Sequence, residues 1–338
     1  MKIAMMAPPW IPIPPRQYGG IEVVVSLLTE ELVDLGHDVH LFAAPHSVTK
    51  AKFHPVLPKA HPDELNFALH ETDHVATVFN MINEAGFEVL HDHTVSAVAY
   101  CDLINTPMVH TMHNGHAGDL RGYYARHAQG AHLVAVSQKQ AATAPHDVKI
   151  AGVVPNPTDV EHWPFRERKR NYALWIGRVD DAKGPQRAIR AAQKAKMPLI
   201  LAGPVQAGQE SFFRYEIEPH LNDQIRYIGE VGGKRKANLF ANAAALLMPI
   251  KWSEPFGLVM TEALSCGTPV IAFPEGAAEE IVIHGVNGYL VPGIVAMADA
   301  LADLAAIRPA DCRESVRSRY SPRIVARGYL DIYRSAAL

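Results

Sequence analysis

The chain has 338 residues, 48% apolar, 20% charged and 8% aromatic, enough for two domains with separate cores and unlike a disordered or low-complexity chain. Its net charge of −3 argues against a nucleic-acid binder, and no apolar run is long enough to cross a bilayer. Three scattered cysteines, Cys101, Cys266 and Cys312, form neither a disulfide framework nor a metal-ligand spacing, as expected of reduced thiols in a cytoplasm.

Lys2–Ala7 is apolar but broken at once by Pro8-Pro9, so it reads as a first strand rather than a secretory leader. A proline-rich stretch follows (Pro8, Pro9, Pro12, Pro14, Pro15), then Gln17-Tyr18-Gly19-Gly20-Ile21-Glu22. Gly19 and Gly20 let backbone approach a bulky anion at the start of a helix, although the dinucleotide spacing G-x-G-x-x-G is absent. Ile21, Val24, Val25, Leu28, Leu32 and Leu35 recur at helical spacing up to Gly36. Asp38–Phe42, Phe87–His91, Met108–Thr111, Leu133–Ser137 and Ile150–Val154 are the next strands.

Fifteen of the 18 histidines lie in residues 1–160. His91-Asp92-His93 and His110-Thr111-Met112-His113 each end a strand and are expected to line a cleft; a zinc role for His91 and His93 is the minor reading, since no thiolate or H-E-x-x-H helix supports it. His37, His46, His54 and His61 are read as surface residues. The first 160 residues carry 9 basic against 16 acidic groups, net −7, and the remainder is net +4.

Pro155-Asn156-Pro157 and Trp163-Pro164 break the pattern, which sets boundaries at 1–160, 161–320 and a terminal helix in 321–338. A second series then begins: Tyr172–Ile176, a helix over 185–196, Leu199–Ala202, Ile225–Ile228, a helix over 234–242, Ala245–Met248, a helix from Leu258 to Ser265 and Val270–Ala272. Alternating strands and helices predict an α/β fold of two doubly wound, Rossmann-like domains with a ligand cleft at the carboxyl ends of their sheets.

Two segments carry the chemistry. Ile176-Gly177-Arg178-Val179-Asp180-Asp181-Ala182-Lys183-Gly184 leaves the first strand of the second domain with an arginine fork and a lysine point charge, both suited to a diphosphate; the Walker order is absent. In Trp252-Ser253-Glu254-Pro255-Phe256-Gly257-Leu258-Val259-Met260-Thr261-Glu262, two carboxylates stand eight positions apart. Pro255 and Gly257 favour a tight loop, so Glu254 precedes a helix N-terminus and Glu262 lies about one turn inside it. The first amides of that helix form an anion site, and the carboxylates can accept hydrogen bonds from sugar and ribose hydroxyls.

The second segment resembles the E-x7-E motif of retaining glycosyltransferases of family 4, and the first resembles that family's G-R-x-x-x-x-K-G element. The resemblance runs from Lys2 to the terminal helix. It implies the GT-B fold, with an acceptor-side first domain, a donor-side second domain and a terminal helix crossing back to the first. It implies transfer of a sugar from a UDP- or GDP-sugar to an acceptor hydroxyl, without metal or cofactor, by a cytoplasmic enzyme of carbohydrate biosynthesis. By the same resemblance Arg178 and Lys183 neutralise the leaving diphosphate with the amides of Leu258 and Val259, Glu254 holds the sugar and Glu262 the ribose. Phe256 and Gly257 lie in the donor loop, Glu230 and Val231 meet the base, and Gly19 and Gly20 lie over the sugar phosphate. His113 orients the donor sugar and His93 faces the acceptor. The family's G-G-x-x-E-I-V element is Gly276-Ala277-Ala278-Glu279-Glu280-Ile281-Val282 here, and Ala277 puts a close backbone contact in question. Pro157 replaces the glycine of the usual P-N-G linker. A nucleotide-sugar epimerase, a phosphorylase or a non-catalytic sugar-nucleotide binder remain as alternatives.

Overall fold

A computed structural model describes residues 1–16, 19–64, 67–115 and 118–338, with Asp63 described in its backbone only. Gln17 and Tyr18, at the head of the glycine-rich segment, lie outside the described residues. Contacts divide the chain into two units, Met1–Pro157 with Pro322–Leu338, and Thr158–Ser321.

Unit 1 runs β1 (Lys2–Met6), α1 (Gly20–Asp34), β2 (Asp38–Ala43), β3 (Lys52–Pro55), α2 (Ala68–Ala85), β4 (Val89–Asp92), β5 (Met108–Met112), α3 (Asp119–His127), β6 (Ala131–Ala135), α4 (Gln138–Ala142) and β7 (Ile150–Val153). Among the described residues the strands pair in parallel in the order β3-β2-β1-β4-β5-β6-β7. Such a sheet must be covered on both faces, and the side chains of β1 show how. Ile3 and Met5 pack with Val25, Leu28 and Leu32 of α1, whereas Ala4 and Met6 pack with Val75, Val78, Phe79 and Ile82 of α2. The last helix of the chain, α12 (Pro322–Ala336), joins the first of these layers through Val325, Tyr329 and Tyr333. Those residues recur every four positions, the signature of one buried helical face.

Unit 2 runs β8 (Ala173–Ile176), α5 (Pro185–Ala195), β9 (Leu199–Ala202), the single turn α6 (Glu210–Phe212), β10 (Ile225–Tyr227), α7 (Gly233–Asn242), β11 (Ala245–Met248), α8 (Leu258–Ser265), β12 (Val270–Ala272), α9 (Ala278–Ile281), β13 (Gly288–Leu290), α10 (Ile294–Ala302) and α11 (Pro309–Tyr320). Its parallel order is β10-β9-β8-β11-β12-β13. The strand order reverses between β8 and β11, and between β1 and β4 in unit 1. Loops leaving neighbouring strands in opposite directions at such a point leave a crevice at the strand ends. The segments carrying Arg178 to Lys183 and Glu254 follow β8 and β11.

Two strands escape the sequence reading, β3 and β13. Both are sheet edges of three or four residues, and β3 carries Lys52 and Pro55, which suit an unpaired edge but blur the strand pattern. Among the described residues no helix is long and apolar enough to cross a membrane. Cys101, Cys266 and Cys312 are free and buried, and burial pushes the thiols of Cys266 and Cys312 up to about 12.

Candidate active site

The crevice of unit 2 is built by two loops that support each other. From the β8 loop, the Asp180 carboxylate accepts from the Lys183 amide at 2.8 Å, and the Trp175 indole donates to the Lys183 carbonyl at 3.1 Å. Arg187, on α5, fastens this loop to the end of β11. Its Nε donates to Pro249 O at 2.7 Å, and its guanidinium also donates to the carbonyls of Asp181 and Ala182. The backbone N–H of Lys251 adds a bond to Ala182 O at 2.8 Å. Arg187 is buried, although its place on a polar helix reads as surface in the sequence.

These supports set Lys183 against the second loop. Its ammonium pairs with Glu254 Oε2 and lies 4.6 Å from the centre of the Trp252 ring. The Trp252 indole donates to the same carboxylate oxygen at 3.0 Å. Arg178, Asp180, Asp181, Ala182, Lys183, Gln209 and Trp252 line a cavity of about 530 Å³. A cavity with two flexible cations at its wall is suited to a polyvalent anion.

Glu254 is held by the Gly276-Ala277 turn. A Cβ on Gly276 would stand 2.3 Å from the backbone N and O of Glu254, and Gly276 has φ +56. Ala277 donates its N–H to Glu254 O at 2.9 Å. The close approach to Glu254 is carried by Gly276, and Ala277 adds a backbone donor that alanine supplies as well as glycine. Gly257, at φ +87, turns the chain into α8, and a Cβ there would meet Met260 Cε at 2.7 Å and Glu254 Cγ at 3.3 Å. Leu258 and Val259 form the first turn of α8, whose amides point toward the helix start. Phe256 turns inward, 3% exposed and edge-on to Tyr320, so only its backbone faces the loop.

Glu262 lies in the second turn of α8, 6% exposed. Lys236 of α7 straddles its carboxylate, with Nζ 2.8 Å from Oε1 and 2.7 Å from Oε2. Lys236 was not singled out in the sequence, where it is one of three cations beside Lys234 and Arg235. Glu230 and Val231 sit in the loop between β10 and α7, Glu230 exposed and Val231 half-buried.

In unit 1, Gly19 and Gly20 open α1 behind the end of β1. Glu22, in its first turn, is buried, which raises its carboxyl to about 7. His93 and His113 follow β4 and β5, and His93 Nδ1 lies 2.9 Å from His113 Nε2 in a stacked pair. Desolvation, and after it the His110 charge, hold His113 at about 3; desolvation and the neighbouring histidines hold His93 well below the ordinary range. Both rings are neutral at physiological pH.

His93 is itself only 2% exposed, and the other strand-end histidines His91 and His110 do not line an open surface either. His91 is fully buried, with Nε2 2.7 Å from Thr111 Oγ1 and Nδ1 2.5 Å from the Tyr333 hydroxyl. Both its nitrogens are thus engaged, which removes it as a zinc ligand. His110 is buried between Asp92, 2.6 Å from its Nδ1, and the Tyr124 hydroxyl, 3.2 Å from its Nε2. Side-chain partners from α3 and α12, distant in sequence, turn these strand-end residues into core. His61, read as a surface residue, is also buried.

Two family models match the chain: Glycosyl transferases group 1 over residues 158–317 and Glycosyltransferase Family 4 over residues 18–162. The chain is 25% identical to an uncharacterized glycosyltransferase of Methanocaldococcus jannaschii, over 86% of this chain and 85% of that protein. It is 27% identical to a phosphatidyl-myo-inositol mannosyltransferase of Mycolicibacterium smegmatis, over 96% and 89%. In structure it is similar to AviGT4, a glycosyltransferase of avilamycin A biosynthesis, with a TM-score of 0.79, 26% identity and coverage of 99% and 98%.

Proposed function

Because this chain belongs to the family 4 glycosyltransferases and has their GT-B fold of two Rossmann-like domains, we propose that it is a retaining enzyme which takes a UDP- or GDP-sugar as donor and an acceptor hydroxyl as the other substrate. The observation that carries the reading is the convergence of Arg178, Lys183, Glu254 and the first turn of α8 at the switch point of unit 2. Arg178, Lys183 and the amides of Leu258 and Val259 supply positive charge where the leaving diphosphate develops negative charge. Glu254 accepts from sugar hydroxyls and holds the ring in place, and Glu262 accepts from the ribose diol. As the bond from the anomeric carbon to the phosphate oxygen breaks, the acceptor oxygen bonds to that carbon on the same face. The departing phosphate oxygen takes the acceptor proton. No carboxylate forms a covalent intermediate.

Lys183 and Glu254 neutralise each other, as do Lys236 and Glu262. Donor binding exchanges the first pair for phosphate on the lysine and sugar hydroxyls on the glutamate, so neither half-buried charge is left without a partner. His113 is assigned to the donor sugar and His93 to the acceptor, both as neutral imidazoles. Gly19 and Gly20 are assigned to the sugar phosphate, Glu230 and Val231 to the base.

The deciding experiment is calorimetric titration with UDP and with GDP, then turnover of the matching sugar nucleotides with and without candidate acceptors. Tight binding of one diphosphate with acceptor-dependent turnover supports the reading. Binding without turnover of any donor marks a non-catalytic binder, and interconversion of donor sugars without acceptor marks an epimerase. The diphosphate charge is met by protein groups, so turnover is expected to persist in a chelator wherever the protein stays folded.

A further inference from the structure

Three side chains of unit 1 that share no residue with the donor group converge on one point. His61 precedes the short 3-10 turn Pro62–Glu64, Glu64 ends it, and His70 stands in the first turn of α2. His61 Nδ1 and His70 Nε2 lie 2.8 and 2.7 Å from the same carboxylate oxygen, Glu64 Oε2. The three atoms all lie within 4.8 Å of one another.

The surroundings hold this arrangement in place. The two imidazoles stack, with centroids 3.6 Å apart and planes at 25°. Trp10 and Phe67 meet the His70 ring edge-on, at 6.5 and 5.1 Å. The His61 side chain is 8% exposed and that of Glu64 is 54% exposed, which leaves the carboxylate side open to solvent. Two histidines and one carboxylate, with an open side for water, are the ligand set of a three-ligand zinc site.

We propose that His61, Glu64 and His70 bind one divalent transition-metal ion, with Zn²⁺ as the matching ion. Two imidazole donors and one carboxylate favour Zn²⁺ over the oxygen-seeking Mg²⁺ and Ca²⁺. A tetrahedral zinc with bonds of 2.0–2.2 Å spaces its ligand atoms roughly 3.3 Å apart. The two nitrogen–oxygen contacts of 2.8 and 2.7 Å open by about half an ångström to admit it, and the stacked rings turn to aim both nitrogens at the ion. Each histidine binds through the nitrogen that now faces Glu64 and carries its proton on the outer one. The ion ties the turn Pro62–Glu64 to the start of α2 and fixes the ring against which Trp10 rests, a structural role separate from sugar transfer.

The test is titration of chelator-treated protein with ZnCl₂, followed by calorimetry and by melting temperature. One ion per chain, with a raised melting temperature, is expected. Glu64→Gln changes a largely exposed side chain and His70→Ala removes a nitrogen ligand; each should weaken binding on the order of 100-fold, at least the loss that follows removal of a supporting partner. Loading with Co²⁺ should give the visible absorption of a tetrahedral nitrogen–oxygen site in the wild type and in His146→Ala, an exposed control, but not in His70→Ala. Absence of one-to-one binding in the wild type, or equal affinity in Glu64→Gln, His70→Ala and wild type, would overturn the assignment.

Discussion

Lys183 and Glu254 are each other's partner before any ligand arrives, and this fixes the sign of what their removal does. Lys183→Ala removes a cation from the phosphate and should weaken nucleoside diphosphate binding by roughly 1.5–3 kcal/mol, the range of a hydrogen bond to a charged group. Glu254→Ala instead frees Lys183 from a competing anion. Diphosphate affinity should then hold or rise while the turnover number falls strongly, because a contact to the reacting sugar ring is lost. Calorimetry with the diphosphate and steady-state kinetics on both variants read these two effects separately. A Glu254→Ala enzyme with wild-type turnover would remove Glu254 from the chemistry. Glu262 belongs to a different part of the donor. Its carboxylate is fixed by Lys236, and the ribose is remote from the anomeric carbon, so Glu262→Ala should mainly raise the donor KM. Equal losses in kcat and kcat/KM would contradict that division of roles.

At the scale of elements, Gly276 shows how one loop positions another. Alanine there meets the backbone of Glu254 at 2.3 Å and must hold φ +56, a left-handed conformation that costs a non-glycine residue about 1–3 kcal/mol. Gly276→Ala should therefore lower the melting temperature and, in the protein that remains folded, reduce turnover with the Glu254→Ala pattern. Normal turnover would show that the turn does not set the glutamate. The strands other than the edges β3 and β13, the helix Leu258–Ser265 and the two loops around Arg178 and Glu254 were legible in the sequence because local pattern specifies them: apolar runs between breakers, and Pro255 and Gly257 ahead of a helical stretch. Their supports were not. Arg187 and Lys236 are ordinary helix cations until the fold brings Pro249 O and Glu262 beside them. His91 and His110 looked like site residues because they end strands, and their burial depends on Tyr333 and Tyr124, 242 and 14 positions away. Pattern reports periodicity, whereas burial of a polar side chain depends on partners that only the completed topology supplies.

For the whole molecule, the unequal distribution of histidines predicts how acid acts on it. His74, His91, His93 and His113 all belong to unit 1, and desolvation is the first cause of the lowered pKa of each. His74 is fully buried on α2, neither of its ring nitrogens finds a hydrogen-bond partner among the described residues, and desolvation lowers its pKa from 6.5 to about 4. A group whose folded pKa is depressed leaves the unfolded chain binding more protons as pH falls. Its stabilising contribution is complete above 6.5 and is lost as pH drops toward the folded value. For His74 the loss approaches ~3 kcal/mol by pH 4, a large part of the stability of an ordinary domain. Glu22 works the other way, since its carboxyl is raised from 4.5 to about 7 and its contribution is lost as pH rises through that interval. Glu71, its carboxyl also raised by burial, acts in the same direction as Glu22; two such groups do not offset four histidines, so unit 1 should lose stability from pH 6.5 to 4. Unit 2 has none of these buried histidines and should be affected less over the same range. Hydrogen exchange followed by mass spectrometry at pH 7 and pH 5 would resolve the two: peptides from α2, β4 and β5 should lose protection before those from β8, β11 and α8. His74→Leu should flatten the pH dependence of the urea midpoint, because an apolar residue fills the site without a proton to gain. If both units lose protection together, or if His74→Leu retains the wild-type pH slope, the buried histidines are not what makes the molecule acid-labile.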